Sequence, residues 1–317
     1  METPAARTPR GVICPLPAPF GPDGVPDPDL LERLICHAGT GAAGLLVGDP
    51  VWARGFDIVP ESRRELAEQA MEIVQGRWPL FIVCTMTEAA KTSVFMAGVE
   101  SYADRMEYPG LLFWVDYPLA YHSNRGLPAF YEFLATETRL PLVVANVPEA
   151  LPAGRPGRRR NLTPGVFERL AANSMVAGMV CGGTIHRHMQ YQSAARRRED
   201  FRFYEADESA FLKSPTMGGV VAGGGTLVPT AWKAMARACL SGGRHTIAGM
   251  DLEEAGAFFT ELHRFLHKEP ASRMPALLAE SGIVPGHYAK TARLSRSDKE
   301  TMRTLAMQIQ RMNEVNP

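Results

Sequence analysis

Eight short apolar runs separated by helical or turn-rich stretches are the feature that most constrains this chain. The runs are Gly11–Cys14, Gly44–Val47, Trp78–Thr85, Gly110–Val115, Leu140–Pro148, Met175–Val180, Phe201–Glu205 and Gly219–Ala222. Between them lie helix signals. Asp27 precedes Pro28 and a stripe of Leu30, Leu31, Leu34 and Ile35, with Gly41 just past its end. Pro60 opens a helix to about Val74, Thr87 is placed to cap a helix through Met106, Leu127–Ala135 lies in a helix, and Thr163-Pro164 reads as a cap followed by proline. A helix is also expected over Glu208–Met217. Caps and first-turn prolines satisfy or remove the amide groups that a helix start leaves unpaired. Alternating strand and helix predicts a parallel sheet with helices packed outside it, and eight such units predict an α/β fold of the (β/α)8 TIM barrel type. The unit spacing is too irregular for a sequence repeat. After Pro229 the pattern is all helix: Trp232–Leu240, Leu252–His267, Pro275–Glu280, and a last helix to about Val315 behind the capping box Ser297-Asp-Lys-Glu300. The expected division is residues 1–228 as barrel and 229–317 as a C-terminal helical region.

Composition excludes several function classes. Lysine plus arginine and aspartate plus glutamate both total 34, so the net charge is zero and nothing suggests bulk attraction to nucleic acid or membrane. The 317 residues suit one barrel with an appendage. Cys14, Cys36, Cys84, Cys181 and Cys239 form no CxxC pair, which argues against a disulfide framework or zinc ribbon and fits a cytoplasmic location. Met1–Arg10 lacks an apolar run and does not read as a signal peptide; no stretch approaches the length of a membrane helix. Neither a cofactor nor a metal is expected.

Several motifs carry a family resemblance. The opening loop has Pro19-Phe20 and Asp23-Gly24, the fifth run ends Asn146-Val147-Pro148, and the sixth contains Gly178-Met179. In these motifs, and in the order of elements over nearly the whole chain, the sequence resembles the dihydrodipicolinate synthase and N-acetylneuraminate lyase family of pyruvate aldolases. The resemblance implies a barrel with added C-terminal helices and an active site at the C-terminal ends of the strands. It also implies a homo-oligomer, dimer or tetramer, with Trp114, Tyr117 and Tyr121 near the tight-dimer side.

The residues that should carry the family's chemistry are changed. Class I aldolases use a lysine amine to form an imine with pyruvate, donors for its carboxylate, and a hydroxyl relay for protons. The lysine position of the sixth strand holds Val180, which cannot form an imine. The family's Gly-Thr-Thr-Gly-Glu loop after strand two is replaced by Gly48-Asp-Pro-Val-Trp-Ala-Arg-Gly55. Ala145 stands where the family has a tyrosine, the arginine expected near Ala150 is absent, and the paired tyrosines after strand four fall on Pro118 and Leu119. No other lysine (Lys91, Lys213, Lys233, Lys268, Lys290, Lys299) falls at a strand end.

The expected strand ends gather a polar set. Asp49, Trp52, Arg54, Asp116, Asn146, Val180 and Asp207 are the candidate substrate-binding residues of the barrel mouth, with no catalytic residue assigned. Arg54 could grip an anion or pair with Asp49 or Asp57. If Val180 points into the barrel, Cys181 points away and packs inertly. His186 and His188 diverge on a helix, so a shared metal is not expected. Glu205 and Asp207 with an imidazole could make an oxygen-rich divalent site, or be ordinary loop carboxylates. Gly223-Gly-Gly225 could cradle a phosphate, or simply close the barrel. Arg155–Arg160 and Arg196–Arg198 read as solvated faces or anion contacts. Two functions follow. The first is a family member without Schiff-base chemistry that binds a small anionic or oxo-acid ligand, or a partner. The second is an active lyase on a small oxo acid that uses a new set around Arg54, Asp116, Asn146 and Asp207.

Overall fold

In a computed structural model, residues 7–20, 24–151, 159–215, 217–241, 246–289 and 294–315 are described. The Asp23 position, most of the Met1–Arg10 segment, the Arg155–Arg158 part of the first basic run, and Lys290 lie outside them. Eight parallel strands close into a barrel in sequence order: β1 (Gly11–Pro15), β2 (Gly44–Val47), β3 (Leu80–Val83), β4 (Leu112–Asp116), β5 (Leu142–Asn146), β6 (Val176–Cys181), β7 (Arg202–Glu205) and β8 (Gly219–Val221). The seam closes where Gly11–Ile13 pairs with Gly219–Val221. Nearly every strand residue is buried, as expected for strands covered on both faces.

Helices α1 (Pro28–Gly39), α2 (Pro60–Val74), α3 (Ala89–Arg105), α4 (Leu127–Glu137), α5 (Pro164–Ala171), α6 (Ile185–Ala194) and α7 (Glu208–Lys213) alternate with the strands. After β8 come α8 (Gly224–Leu227), α9 (Pro229–Ser241), α10 (Leu252–Leu266), α11 (Pro270–Glu280) and α12 (Arg296–Val315). The (β/α)8 barrel with C-terminal helices is therefore what the alternation predicts. α1 shows why: Asp27 accepts the Leu30 amide at 3.0 Å, and Leu30, Leu31, Leu34 and Ile35 are all buried on one face. Such a cap is worth about 1 kcal/mol.

Several expected boundaries shift; the helix expected from Pro275 begins at Pro270 and runs through that proline. Glu88, not Thr87, stands at the cap of α3; Thr92 takes the Met86 amide instead, at 3.1 Å. The helix after β7 stops at Lys213, short of Met217. The last helix is capped by Ser295, whose hydroxyl accepts the Asp298 amide at 3.1 Å, two residues before the expected Ser297 box.

The buried side chains form two layers. One lies inside the barrel and includes Phe81, Phe113, Val115, Tyr117, Ala145, Val180 and Tyr204. The other lies between strands and helices and includes Ile82, Trp114, Val144, Met179 and Cys181. Successive residues thus alternate between layers along each strand, as strand geometry requires.

Candidate functional site

Val180 faces the barrel interior and is 5% exposed. It pairs with Ala145 on β5 and Tyr204 on β7, so its surroundings are hydrocarbon and ring. Cys181, one residue on, is fully buried in the outer layer, where burial pushes its thiol well above the usual range. It packs there as an inert side chain.

The polar centre of the mouth is built by Asp49 and Tyr117. Asp49 is buried in the loop after β2. Its Oδ1 accepts the amides of Val51 and Trp52 at 2.8 and 3.0 Å, and its Oδ2 accepts the Tyr117 hydroxyl at 2.7 Å. Burial raises the Asp49 carboxyl, while these three donors pull it back. Burial also raises the Tyr117 phenol well above its ordinary range, so it stays protonated and donates. Phe56 packs edge-on against Tyr117 at 5.8 Å. The Asp49 carbonyl accepts the amides of Ala53 and Gly55, which folds the loop back on itself. A side chain at Gly55 would sit 1.8 Å from the Gly48 carbonyl oxygen, so glycine is required there. Trp52, 6% exposed, packs against Gly223 at the end of β8. The loop therefore reaches across the mouth in both directions, to Tyr117 and to β8.

The remaining candidates do not join this centre. Asp116 follows Trp114 in the outer register. Its carboxylate accepts hydroxyls from Thr85 at 2.7 Å and from Tyr121 and Tyr131 at 2.8 Å each, between β4 and α4. Its contribution to the mouth is indirect, because the same Thr85 hydroxyl accepts the Tyr117 amide at 2.6 Å. Asn146 also faces outward in register, accepting the Leu162 amide at 2.8 Å and donating to Asn161 at 3.1 Å. Arg54 is exposed, holds φ of 50°, and donates to Ser272 on α11 at 3.2 Å; it pairs with neither Asp49 nor Asp57. Asp207 caps α7 by accepting the Ala210 amide at 2.9 Å, and lies 3.6 Å from His263. Among the described residues no hydrogen bond or ion pair joins any two of Arg54, Asp116, Asn146 and Asp207. The set expected to support a new lyase site is dispersed because strand alternation sends Asp116 and Asn146 to the wrong side of the wall.

Glu205 and Asp207 likewise part company. Glu205 lies 3.2 Å from buried His188, and Asp207 turns to His263. His186 is exposed and contacts Gln190, away from His188. Among the described residues no three His, Cys, Asp or Glu side chains gather as a metal site. The Gly223–Gly225 turn is used for packing. Its Gly224 amide is taken by Glu208 at 2.9 Å, and side chains at Gly223 or Gly225 would strike Trp52 or Val12. Trp114 is fully buried, with its indole nitrogen on Glu100 and Thr138, while Tyr117 and Tyr121 are 2% and 9% exposed. All three are buried within the protomer. Sequence reasoning missed Tyr117 as a mouth residue. Its signal was its place two residues beyond inward-facing Val115.

Every described lysine is exposed; Lys91, Lys213, Lys233 and Lys299 stand on helices and Lys268 in the turn after α10, with Lys91 bridged to Glu88 and Lys268 to Asp298. No described helix is long and apolar enough to cross a membrane.

Comparison with known proteins agrees with the barrel and its extent. The 4-hydroxy-tetrahydrodipicolinate synthase of Shewanella piezotolerans is 25% identical over 285 residues, covering 88% of this chain and 86% of the relative. That of Xanthomonas axonopodis pv. citri is 26% identical over 284 residues, covering 87% and 86%. Among solved structures, dihydrodipicolinate synthase from Bacteroides thetaiotaomicron superposes with a TM-score of 0.77 at 19% identity, covering 96% of this chain and 99% of that one. The Thermotoga maritima enzyme gives 0.74 at 21%, with 96% and 99% covered. These structural likenesses speak for the fold. The model of the dihydrodipicolinate synthetase family matches residues 8–301, and the chain belongs to that family.

Proposed function

We propose that this chain is a divergent family member that has left Schiff-base aldolase chemistry and binds a small anionic or oxo-acid ligand at its barrel mouth. The observation that carries the reading is Val180, which faces the barrel interior at the position where the resemblance puts the imine-forming lysine. A valine offers no nucleophile, and the described lysines are exposed on the outer helices and, for Lys268, in the turn after α10. Ala145 beside it removes the hydroxyl that a proton relay needs. What the mouth retains is the Asp49–Tyr117 pair, a carboxylate and a phenol able to orient a polar ligand. The second reading, a lyase acting through Arg54, Asp116, Asn146 and Asp207, has lost its geometric support.

A homo-oligomer, dimer or tetramer, belongs to the same reading. Ile185 and Met189, one turn apart on α6, are 49% and 62% exposed and offer an apolar stripe for contact between copies. One of the similar structures is described as a monomeric dihydrodipicolinate synthase variant, so light scattering on this chain is the direct check. A cytoplasmic location is supported by five free cysteines.

The deciding experiment is incubation with pyruvate and borohydride, followed by intact-mass measurement beside a lysine-bearing family member. Borohydride fixes any imine as a stable adduct. No gain in mass is expected, together with saturable pyruvate binding by calorimetry. A pyruvate adduct mapping to any lysine, Lys290 included, would overturn the reading, as would the absence of binding by small oxo acids and carboxylates.

A further inference from the structure

At the opposite end of the barrel from the mouth, a cavity of about 390 Å³ opens between the last turns of α9 and the starts of β1 and β2. Helical spacing explains one wall. Lys233, Ala236, Arg237 and Leu240 recur at intervals of three, one and three residues, which places them on one face of α9. The opposite wall is Val12 with Ala42 and Ala43, residues small enough to leave room. Arg10, immediately before β1, closes the rim.

The charge of this cavity is one-sided. Three cations line it and no carboxylate does, in a chain whose acids and bases balance at 34 each. Arg10, Lys233 and Arg237 are exposed, and among the described residues their side chains have neither a hydrogen bond nor an ion pair. Elsewhere arginines of this chain are engaged: Arg63 on strand carbonyls, Arg198 on Asp200, Arg273 on Asp298. Two like charges four residues apart on a helix repel, and a third faces them across the groove. An anion bridging the three would relieve that repulsion and form charge-assisted hydrogen bonds. The apolar floor sets the second requirement, a hydrocarbon body that displaces water from Val12, Ala42, Ala43 and Leu240.

We propose that this basal cavity is a second ligand site, distinct from the mouth, for a small organic oxyanion: an acidic head held by Arg10, Lys233 and Arg237, and a short apolar body lying on the alanine floor. The head, phosphate or carboxylate, shares one chemistry, and the test separates the two. Phenyl phosphate, benzoate, inorganic phosphate and benzyl alcohol are titrated calorimetrically into the full chain. Phenyl phosphate is expected to saturate and to bind more tightly than either inorganic phosphate or benzyl alcohol, since each lacks half of the recognition. Benzoate matching phenyl phosphate would assign a carboxylate head; benzoate failing would assign phosphate. The K233A/R237A double variant should weaken phenyl phosphate by about ten-fold or more. Ala42→Phe, which fills the cavity and leaves the charges in place, should abolish it. Both are exposed or half-buried positions, and melting curves establish that the variants fold. Tyr117→Phe, at the mouth, should leave the phenyl phosphate affinity unchanged, which separates this site from the one proposed for oxo acids. No saturable binding, binding indifferent to the double variant, or binding that survives Ala42→Phe would each overturn the proposal.

Discussion

Tyr117 and Asp49, 68 residues apart in sequence, meet at 2.7 Å inside the barrel mouth, with the phenol donating to the carboxylate. The contact joins the end of β4 to the loop after β2. Thr85 extends it through the wall, because its hydroxyl accepts the Tyr117 amide and donates to Asp116. A polar chain thus runs from the mouth to Tyr131 on α4.

Tyr117→Phe removes one donor from a buried acceptor and leaves the ring packing on Phe56 intact. A cost of about 1–3 kcal/mol is expected, readable by urea unfolding. The pH dependence carries the sign. Burial raises the folded Asp49 above its unfolded range, and the Tyr117 bond opposes that rise. A raised carboxyl contributes stability that is complete below the unfolded value, near 3.9, and lost as pH climbs through the folded value. Without the hydroxyl the rise is larger, so the variant should lose more relative to the parent at pH 8 than at pH 4. An equal loss at both would mean that the hydroxyl does not couple to Asp49. Oxo-acid affinity should fall with the same substitution if the pair orients the ligand.

Gly223→Ala tests how firmly the loop after β2 is seated. A methyl group there would lie 2.3–2.7 Å from three carbons of the Trp52 ring. Trp52 is buried and its loop is held by Asp49, so neither can yield without breaking contacts. Overpacking of this kind costs about 1–3 kcal/mol. Gly256, inside α10 with nothing within 4 Å of the added methyl, is the matched control. There alanine should stabilise by up to about 1 kcal/mol, because helix interiors favour it over glycine. Chemical denaturation of the pair should therefore shift in opposite directions; a shared direction would show that the Trp52 seat is loose.

The fold was legible because its signal is distributed. Eight apolar runs, caps such as Asp27, and prolines such as Pro60 and Pro164 all point to the same alternation, and errors at single boundaries such as Thr87 or Ser297 do not disturb it. The site was less legible because its signal hangs on parity. The alternation argument that turns Cys181 away from Val180 also turns Asp116 away from Val115 and Tyr117, and Asn146 away from Ala145 and Val147. Applied evenly, it would have exchanged Asp116 for Tyr117 in the candidate set. No local pattern announces the pairing of Tyr117 with Asp49, since the loop after β2 departs from the family motif. Nor does the sequence show that Glu208 lies beneath Gly224, because that contact depends on how α7 and α8 pack.

Glu208 supplies the last prediction. It is 1% exposed, with one oxygen on the Gly224 amide at 2.9 Å and the other without a hydrogen-bond partner. His263 on α10 stands 3.9 Å away. Burial, opposed by the Gly224 and Gly223 amides, pushes its carboxyl up to about 7. The unfolded value is near 4.3, so the stability tied to the protonated form is complete below that pH and lost as pH rises through 7. That interval corresponds to roughly 4 kcal/mol at most. Glu208→Gln keeps an acceptor for Gly224 and offers an amide toward His263, but cannot ionise. The variant should match the parent near pH 4.5 and exceed it by about 3–4 kcal/mol at pH 8. Glu205, also raised to about 7 by burial, and Asp49 and Asp116, both raised by burial, remain in the variant, so the fall in stability with pH should be reduced rather than removed. Urea midpoints of parent and variant across pH 4.5–8 measure the difference directly. A constant offset across that range would show that Glu208 is ionised throughout in the folded protein, and that its unpartnered oxygen is solvated or paired with a protonated His263.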